Sequence, residues 1–228
     1  MKLVTVAGPP SSGKTSVILK TAEGLLSAGF KLGVIKFDCL TGGDAARYEA
    51  AGILVKTGLA GGLCPDHFFI TNIEACLQWG LRNKLDLLIS ESAGLCNRCS
   101  PHIRGVTAVC VVDNLSGINT PRKIGPMLKT ADVAVITKGD IVSQAEREIF
   151  AFRVKQVNPR AAVLPVNGLT GQGSLLLRRH MEGAPDIPTL ENAKLRFSMP
   201  AALCSYCLGE TRIGKDSQVG NIQMMDLS

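Results

Sequence analysis

Short apolar runs alternate along this chain with stretches of helical length and mixed polarity. Leu3, Val4, Val6 and Ala7 read as a buried strand, and Lys14 to Leu26 as the helix that follows it. Lys31 to Phe37 (KLGVIKF) predicts a second strand, Ala45 to Ala51 a helix, and residues 54 to 58 a short strand. Gly61, Gly62 and Pro65 mark a loop before a helix over Thr71 to Leu81, with Asn72 or Thr71 as its cap. Leu85 to Ser90 (LDLLIS), Thr107 to Asp113 (TAVCVVD), Asp132 to Thr137 (DVAVIT) and Ala161 to Val166 predict four more strands. Thr120-Pro121 opens a helix with Thr as cap and Pro at the first helical position, and Gly171-Gln172-Gly173 starts another. Strands and helices in alternation predict an α/β fold, three layers around a mostly parallel sheet. Beyond Gly183 the pattern changes: Pro185 and Pro188 suggest a linker, and Lys194 to Met199 and Asn221 to Leu227 look extended. The division expected is residues 1–182 as one nucleotide domain and 183–228 as linker and small extended appendage, too short for a core of its own.

The first strand runs into Gly8-Pro9-Pro10-Ser11-Ser12-Gly13-Lys14-Thr15, which fits G-x-x-x-x-G-K-[ST] at every fixed position, with Ser16 next. Gly8 and Gly13 let the backbone bring its N–H groups to phosphate oxygens. Lys14 reaches the terminal phosphates, and the Thr15 hydroxyl is placed for Mg²⁺. The helix after the loop points its N-terminus at the anion. Strand, loop and helix in this order predict a P-loop NTPase fold; a chance glycine turn is the alternative.

Two acids close predicted strands. Asp38 stands at the end of the second, where such sheets face the nucleotide crevice, or it caps the helix after it. Glu91 follows LDLLIS, and Gly94, three residues on, offers a backbone amide to the terminal phosphate. Thr137-Lys138-Gly139-Asp140 fits the guanine-binding pattern [NT]-K-x-D: the carboxylate accepts from N1–H and the exocyclic amine while the lysine stem covers the ring. Adenine lacks that donor pair, so Asp140 argues for GTP, against the bland reading of a surface turn. Asn167-Gly168 ends the last strand where a loop can close over the base.

Composition narrows the partners. Of 228 residues 46% are hydrophobic and 4% aromatic, so aliphatic packing dominates the core. The apolar runs fall short of the ~18–20 residues of a membrane span, and the first strand begins at Leu3 with no signal pattern before it, so a cytoplasmic protein without membrane contact is expected. A net charge of +6 with no dense basic block suits phosphate ligands and acidic partners, and nucleic acid is not expected.

Eight cysteines in such a chain are not read as disulfides. Cys39, Cys76 and Cys110 lie in apolar surroundings and read as core filler. Cys64 with His67, the pair Cys96–Cys99 and the pair Cys204–Cys207 have metal-ligand spacing. Each C-x-x-C brings two thiolates, so a closed site needs further ligands; two buried thiols in a hairpin is the alternative for the tail.

At several separated places the first ~180 residues resemble the metal-insertion GTPases of hydrogenase maturation (HypB) and urease assembly (UreG). Asp38-x-x-Thr41-x-x-Asp44-Ala45-x-Arg47 resembles the hydrogenase branch's switch segment, and Cys64-Pro65-Asp66-His67 after Thr57-Gly58 resembles the nickel-binding Cys-Pro-His and Cys-His motifs. Glu91-Ser92-Ala93-Gly94 resembles the second switch, Cys99-Ser100-Pro101 a hydrogenase-branch cysteine, and Gly117-x-x-x-Pro121-Arg122-Lys123-x-Gly125-Pro126 and Thr170-Gly171-Gln172-Gly173 the urease branch. Asp66 is inserted between Pro65 and His67, Thr137 replaces the usual Asn, and Cys96 and the Cys204–Ser228 tail lie outside the likeness.

The resemblance implies a slow GTPase that inserts nickel, zinc or a similar metal into a client metalloenzyme, working with that client or its accessory proteins; the departures suggest a separate branch whose client is neither hydrogenase nor urease. Lys14 and the loop amides would hold the phosphates, Thr15 with Asp38 or Glu91 the Mg²⁺, and Lys138 and Asp140 the guanine. Glu91 would sense the terminal phosphate and Asp38 would stand near the attacking water. Cys64 and His67 make half of a four-ligand site, so a GTP-dependent homodimer would complete it. Two other readings are an iron–sulfur or redox maturation factor with a cluster on the C-x-x-C pairs, and a small-molecule kinase; the latter leaves Asp140 unexplained and lacks clustered arginines.

Overall fold

A computed structural model of the chain describes residues 1–40, 43–94, 96–198 and 210–228, so Cys204 and Cys207 lie outside the described residues. Seven strands are described: β1 (Lys2–Ala7), β2 (Leu32–Asp38), β3 (Leu54–Leu59), β4 (Leu87–Ser92), β5 (Thr107–Asp113), β6 (Val133–Thr137) and β7 (Ala162–Pro165). They form one sheet in the order β3-β2-β4-β1-β5-β6-β7, with every neighbouring pair parallel. The helices are α1 (Lys14–Ser27), α2 (Asp44–Ala50), α3 (Pro65–Arg82), α4 (Thr120–Lys123), α5 (Pro126–Lys129), α6 (Gln144–Val157) and α7 (Ser174–Glu182).

Strand parity sorts the aliphatic side chains into two faces. Val4 and Val6 of β1, Leu32 and Val34 of β2, and Leu87 and Ile89 of β4 pack with α1, Tyr48 of α2, and Leu177 and Met181 of α7. Leu3, Ile35, Phe37 and Leu88 pack on the other side with α3, and Cys110, Val112, Ala134 and Ile136 with α5 and α6. Strands covered on both faces carry apolar residues at consecutive positions, which is why β4 and β5 stood out as continuous runs. Helices on both sides of a parallel sheet make the three-layer α/β architecture expected. Among the described residues no helix is long and apolar enough to cross a membrane.

Several boundaries differ from expectation. Helix α3 begins at Pro65, six positions before Thr71, with Pro65 in its first turn, Asp66 beside it and Cys64 at the N-cap position. Pro at the first helical position forgoes an N–H that has no partner there anyway, so the motif read as loop is helix. Strand β4 continues to Ser92, which puts Glu91 inside the sheet, paired in register with Val6 and Lys36. Asn119, not Thr120, stands at the N-cap of α4, and neither it nor Gly43 before α2 makes a side-chain cap, so Asp38 does not cap α2. Helix α6 is unannounced by apolar spacing, since it buries only Phe150 and Val154; a Ser143–Glu146 capping box starts it.

After α7 the chain returns along the α3 face. Ile187, Leu190, Leu195 and Ile213 are buried in the same core as α3. Among the described residues the segments expected to be extended form no strand: Lys194 and Leu195 make isolated bridges to Arg212 and Ile103, and 221–227 is irregular. Asn72 of α3 holds that end, accepting from the Met225 amide at 2.8 Å and donating to the Gln223 carbonyl at 2.9 Å.

Candidate functional site

Six residues, Gly8 to Gly13, join β1 to α1 at the C-terminal rim of the sheet's central strands. A side chain at Gly8 would run into the Val111 carbonyl, and Gly13 has φ of 90°, so both positions require glycine. Lys14 Nζ donates to the carbonyls of Gly8 and Pro9, each at 2.9 Å. Burial holds its pKa below the ordinary lysine value, with Glu91 opposing. Thr137 Oγ1 donates to the Ser12 carbonyl at 2.7 Å and Lys138 Nζ to the Ser11 carbonyl at 2.8 Å. The [NT]-K-x-D segment therefore braces the outer wall of the loop. Ser12 Oγ is buried with no hydrogen-bond partner among the described residues. A glycine-lined turn at a helix N-terminus with a buried ammonium fits a polyphosphate.

Pro10, Ser11, Lys14, Thr15 and Ser16 line a cleft of about 350 Å³ with Lys36, Asp38, Asp44, Arg47 and Glu91 opposite. Glu91 is 1% exposed and fully engaged. Its Oε1 accepts from Thr15 Oγ1 and its Oε2 from the Tyr48 hydroxyl, both at 2.8 Å. Burial first, then the Glu91 charge, pushes the Tyr48 phenol far above its ordinary range. Asp38 accepts from the Cys39 amide at 2.8 Å. Lys36 Nζ lies 2.8 Å from Asp44 Oδ2, 3.5 Å from Glu91 Oε1 and 3.7 Å from Asp38 Oδ2. Burial lowers the Lys36 pKa, but Glu91, Asp44 and Asp38 outweigh it and hold the ammonium above the ordinary lysine value. The hydroxyl and carboxylate oxygens of Thr15, Glu91 and Asp38 are a hard donor set that fits Mg²⁺.

Asp140 and Asn167 meet at a second cleft of about 570 Å³ beside β7, with Asn114, Arg147 and Leu176 on its walls. Asp140 is exposed at its mouth. Asn167 accepts from the amides of Leu169 and Thr170 at 2.8 and 3.1 Å, so its side chain shapes the loop. Lys138 lies between the two clefts, with Nζ 3.6 Å from Asp113 Oδ1 in addition to its bond to Ser11.

The cysteines divide differently from expectation. Cys76 and Cys110 are fully buried, but Cys39 is half-buried at the surface after β2, so it is not core filler. The Cys96 and Cys99 sulfurs and a carboxylate oxygen of Asp66 all lie within 4.8 Å of one another. Asp66 is 5% exposed, and its Oδ2 has no hydrogen-bond partner among the described residues. Burial raises its pKa to about 6, with the Cys99 thiol donating a bond that acts the other way. Burial, then Asp66, Cys96 and Cys64, push the Cys99 thiol far above its usual value. Cys64, at the start of α3, is near enough to act on Cys99 electrostatically; His67, buried at 2% exposure, is not in the three-residue group. Two thiols and a carboxylate suit a borderline metal of the zinc or nickel kind.

Lys36, Tyr48 and Asp66 escaped the sequence reading. Lys36 has the buried parity of Leu32 and Val34, which was a usable signal for a charge turned into the protein. Asp66 read as an insertion into the Cys-Pro-His motif that the segment resembles, and the helix start expected at Thr71 left it outside any element; in the structure it sits in the first turn of α3.

Comparison with known proteins agrees with this geometry. Residues 2–165 match the model of the CobW/HypB/UreG nucleotide-binding domain. A protein of Methanocaldococcus jannaschii, itself uncharacterised, is 47% identical over 226 residues, 99% of this chain and 97% of its own. The urease accessory protein UreG of Haloquadratum walsbyi is 31% identical over 188 residues, 75% of this chain and 89% of its own. Among solved structures, HypB from Helicobacter pylori in complex with nickel has a TM-score of 0.63 at 20% identity, covering 83% of this chain and 91% of that one. The hydrogenase maturation factor HypB of Archaeoglobus fulgidus has a TM-score of 0.61 at 22% identity, covering 80% and 89%. The chain thus belongs to the CobW/HypB/UreG family of nucleotide-binding domains.

Proposed function

We propose that this chain is a GTP-binding, slowly hydrolysing metal-insertion protein that carries a transition metal to a client metalloenzyme or its accessory proteins. The observation that carries the metal half is the Asp66–Cys96–Cys99 group, in which Asp66 comes from the first turn of α3 and Cys96 stands two residues after Gly94, beyond the end of β4. The names of the relatives point the same way: one is a urease accessory protein and one HypB was solved with nickel.

In this reading Lys14 and the loop amides hold the phosphates, and Thr15, Glu91 and Asp38 hold Mg²⁺, which when bound supplies charge neutralisation. Asp38 orients water, and Glu91 reports the state of the cleft through β4. Lys138 and Asp140 select guanine. Three donors leave a tetrahedral site one ligand short; Cys64, one of Cys204 and Cys207, or a Cys64 or His67 of a second copy in a GTP-dependent homodimer would complete it.

The test is anaerobic purification and elemental analysis after loading with Zn²⁺ or Ni²⁺, with and without a non-hydrolysable GTP analogue, and sedimentation of each form. One equivalent of metal that disappears in Cys96→Ser/Cys99→Ser is expected, with a dimer in the analogue form. Unchanged stoichiometry in the double variant overturns the metal site, and a monomer with analogue and metal together overturns the dimer.

A further inference from the structure

The α1 face of the sheet is aliphatic until its C-terminal rim. Val34 on β2 and Ile89 on β4 are both fully buried there and pair in register. At the next position of the same parity two charged side chains replace them, Lys36 and Glu91, again paired in register. They are 7% and 1% exposed. A buried ammonium among aliphatic neighbours is costly unless compensated, and the compensation here comes from three carboxylates. Asp44, Glu91 and Asp38 surround Lys36 Nζ at 2.8, 3.5 and 3.7 Å. Two of these, Glu91 and Asp38, are the acids placed with Thr15 to hold Mg²⁺.

We propose that Lys36 is the resident counter-ion of the magnesium corner, occupying the carboxylate group in the nucleotide-free protein so that a divalent cation is refused unless it arrives with nucleotide. The inference rests on Thr15, Asp38 and Glu91 being the magnesium-holding group. Three carboxylates converging on one point attract a hard divalent ion from solution. One fixed positive charge at that point removes the attraction, because the incoming ion meets repulsion at contact distance in a poorly screened pocket. Nucleotide reverses the balance. Its phosphates bring several negative charges into the cleft that Lys14, Lys36 and Arg47 line together, so the ammonium and a divalent ion are tolerated side by side. Lys36 therefore makes metal binding conditional on nucleotide binding, and is a positioning residue.

Mn²⁺, read by electron paramagnetic resonance, is the probe, since it takes oxygen ligands in preference to thiolates. Wild type is expected to bind Mn²⁺ tightly at this corner with GDP or GTP and only weakly without nucleotide. Lys36→Met should gain nucleotide-free Mn²⁺ affinity by about tenfold or more, Glu91→Gln in that background should remove the gain, and Lys36→Arg should keep the refusal. No gain in a folded Lys36→Met protein overturns the proposal, as does tight nucleotide-free binding at this corner by wild type, which needs no variant at all. Nucleotide-dependent Mn²⁺ binding that survives both Thr15→Val and Glu91→Gln overturns instead the placement of magnesium.

Discussion

Gly94 lies so close against the Gly8 carbonyl that a side chain at Gly94 would collide with it, and its φ of 67° already demands glycine. The segment that follows β4 is thus seated on the first residue of the Gly8–Gly13 loop, with Cys96 two positions beyond Gly94. The contact is backbone against backbone, with no flexible side chain that could yield between the two segments.

Gly94→Ala should therefore act on the loop. A left-handed alanine costs ~1–2 kcal/mol, and the new methyl displaces a backbone oxygen that cannot rotate away. Nucleotide affinity measured by calorimetry should drop about tenfold or more, with the far-UV spectrum unchanged. Wild-type affinity in the variant rules out this contact as the link between switch and loop.

Asp140 stands at the mouth of the cleft that Asn167 also lines. Replacing it with Asn removes one acceptor and sets a donor opposite the base's own donors. The loss of a hydrogen bond to a charged acceptor, ~1.5–3 kcal/mol, corresponds to about tenfold or more in guanine-nucleotide affinity. Competition binding of GTP against ATP checks both halves: ATP competing as well as GTP against wild type defeats the guanine assignment.

Tyr48 anchors α2 to β4 through its 2.8 Å bond to Glu91. Tyr48→Phe keeps the ring in its fully buried place but leaves one oxygen of a buried carboxylate short of a donor. Urea denaturation should show a loss of ~1.5–3 kcal/mol. A loss within ±0.5 kcal/mol, the usual range for inert surface changes, would mean that water replaces the hydroxyl.

His102 offers a pH signature remote from the clefts. Its Nε2 faces the Met127 carbonyl at 3.1 Å, which can only accept, so the ring proton sits there and Nδ1 accepts from Thr5 Oγ1 at 3.0 Å. Burial, then the Arg196 charge, lower its pKa to about 3. The unfolded chain takes up a proton near pH 6.5 that the folded protein refuses, so this group's contribution falls as pH drops below that value. The slope is about 1.4 kcal/mol per pH unit and ends near pH 3. His102→Gln, which does not titrate, should flatten the stability profile by that slope across the window. Parallel profiles for the two proteins would show that the imidazole is protonated in the fold.

How much of this was legible in the sequence depends on which force fixed each residue. Gly8, Gly13, Lys14 and Thr15 were readable because backbone geometry and phosphate chemistry confine them to a fixed spacing. The strands were readable because burial on both faces leaves continuous apolar runs. Glu91 was found but set just outside its strand, since a charge reads as a strand end until Thr15, Tyr48 and Lys36 are seen around it. Lys36 and Asp66 were not found, because the contacts that bring each into a site are made in space and not along the chain: Glu91, paired across the strands, joins Asp44 and Asp38 around Lys36, and Cys96 and Cys99 meet Asp66. Helix α6 went unread because its polar face outweighs the two residues it buries.

Asp66 shows what such a residue costs and what keeps it. Its folded-state pKa of about 6 lies above the ordinary carboxylate value of 3.8, so the folded protein binds this proton more tightly than the unfolded chain does. The sign follows: the group is harmless below pH 3.8, and its penalty grows as pH rises and levels off above about 6. A difference of about two pH units amounts to roughly 3 kcal/mol of lost stability at pH 7.5. Asp66→Asn has nearly the same volume and no charge to desolvate, so the metal-free variant should be more stable than wild type at pH 7.5 and no different near pH 3.5. If the carboxylate is a metal ligand, Zn²⁺ should reverse the order at neutral pH, stabilising wild type by mass action and leaving the variant nearly unmoved. Thermal melts at the two pH values, with and without Zn²⁺, give all four comparisons. A variant that gains stability without metal and is still stabilised by Zn²⁺ as strongly as wild type removes Asp66 from the ligand set, leaving the metal to Cys96, Cys99 and other donors.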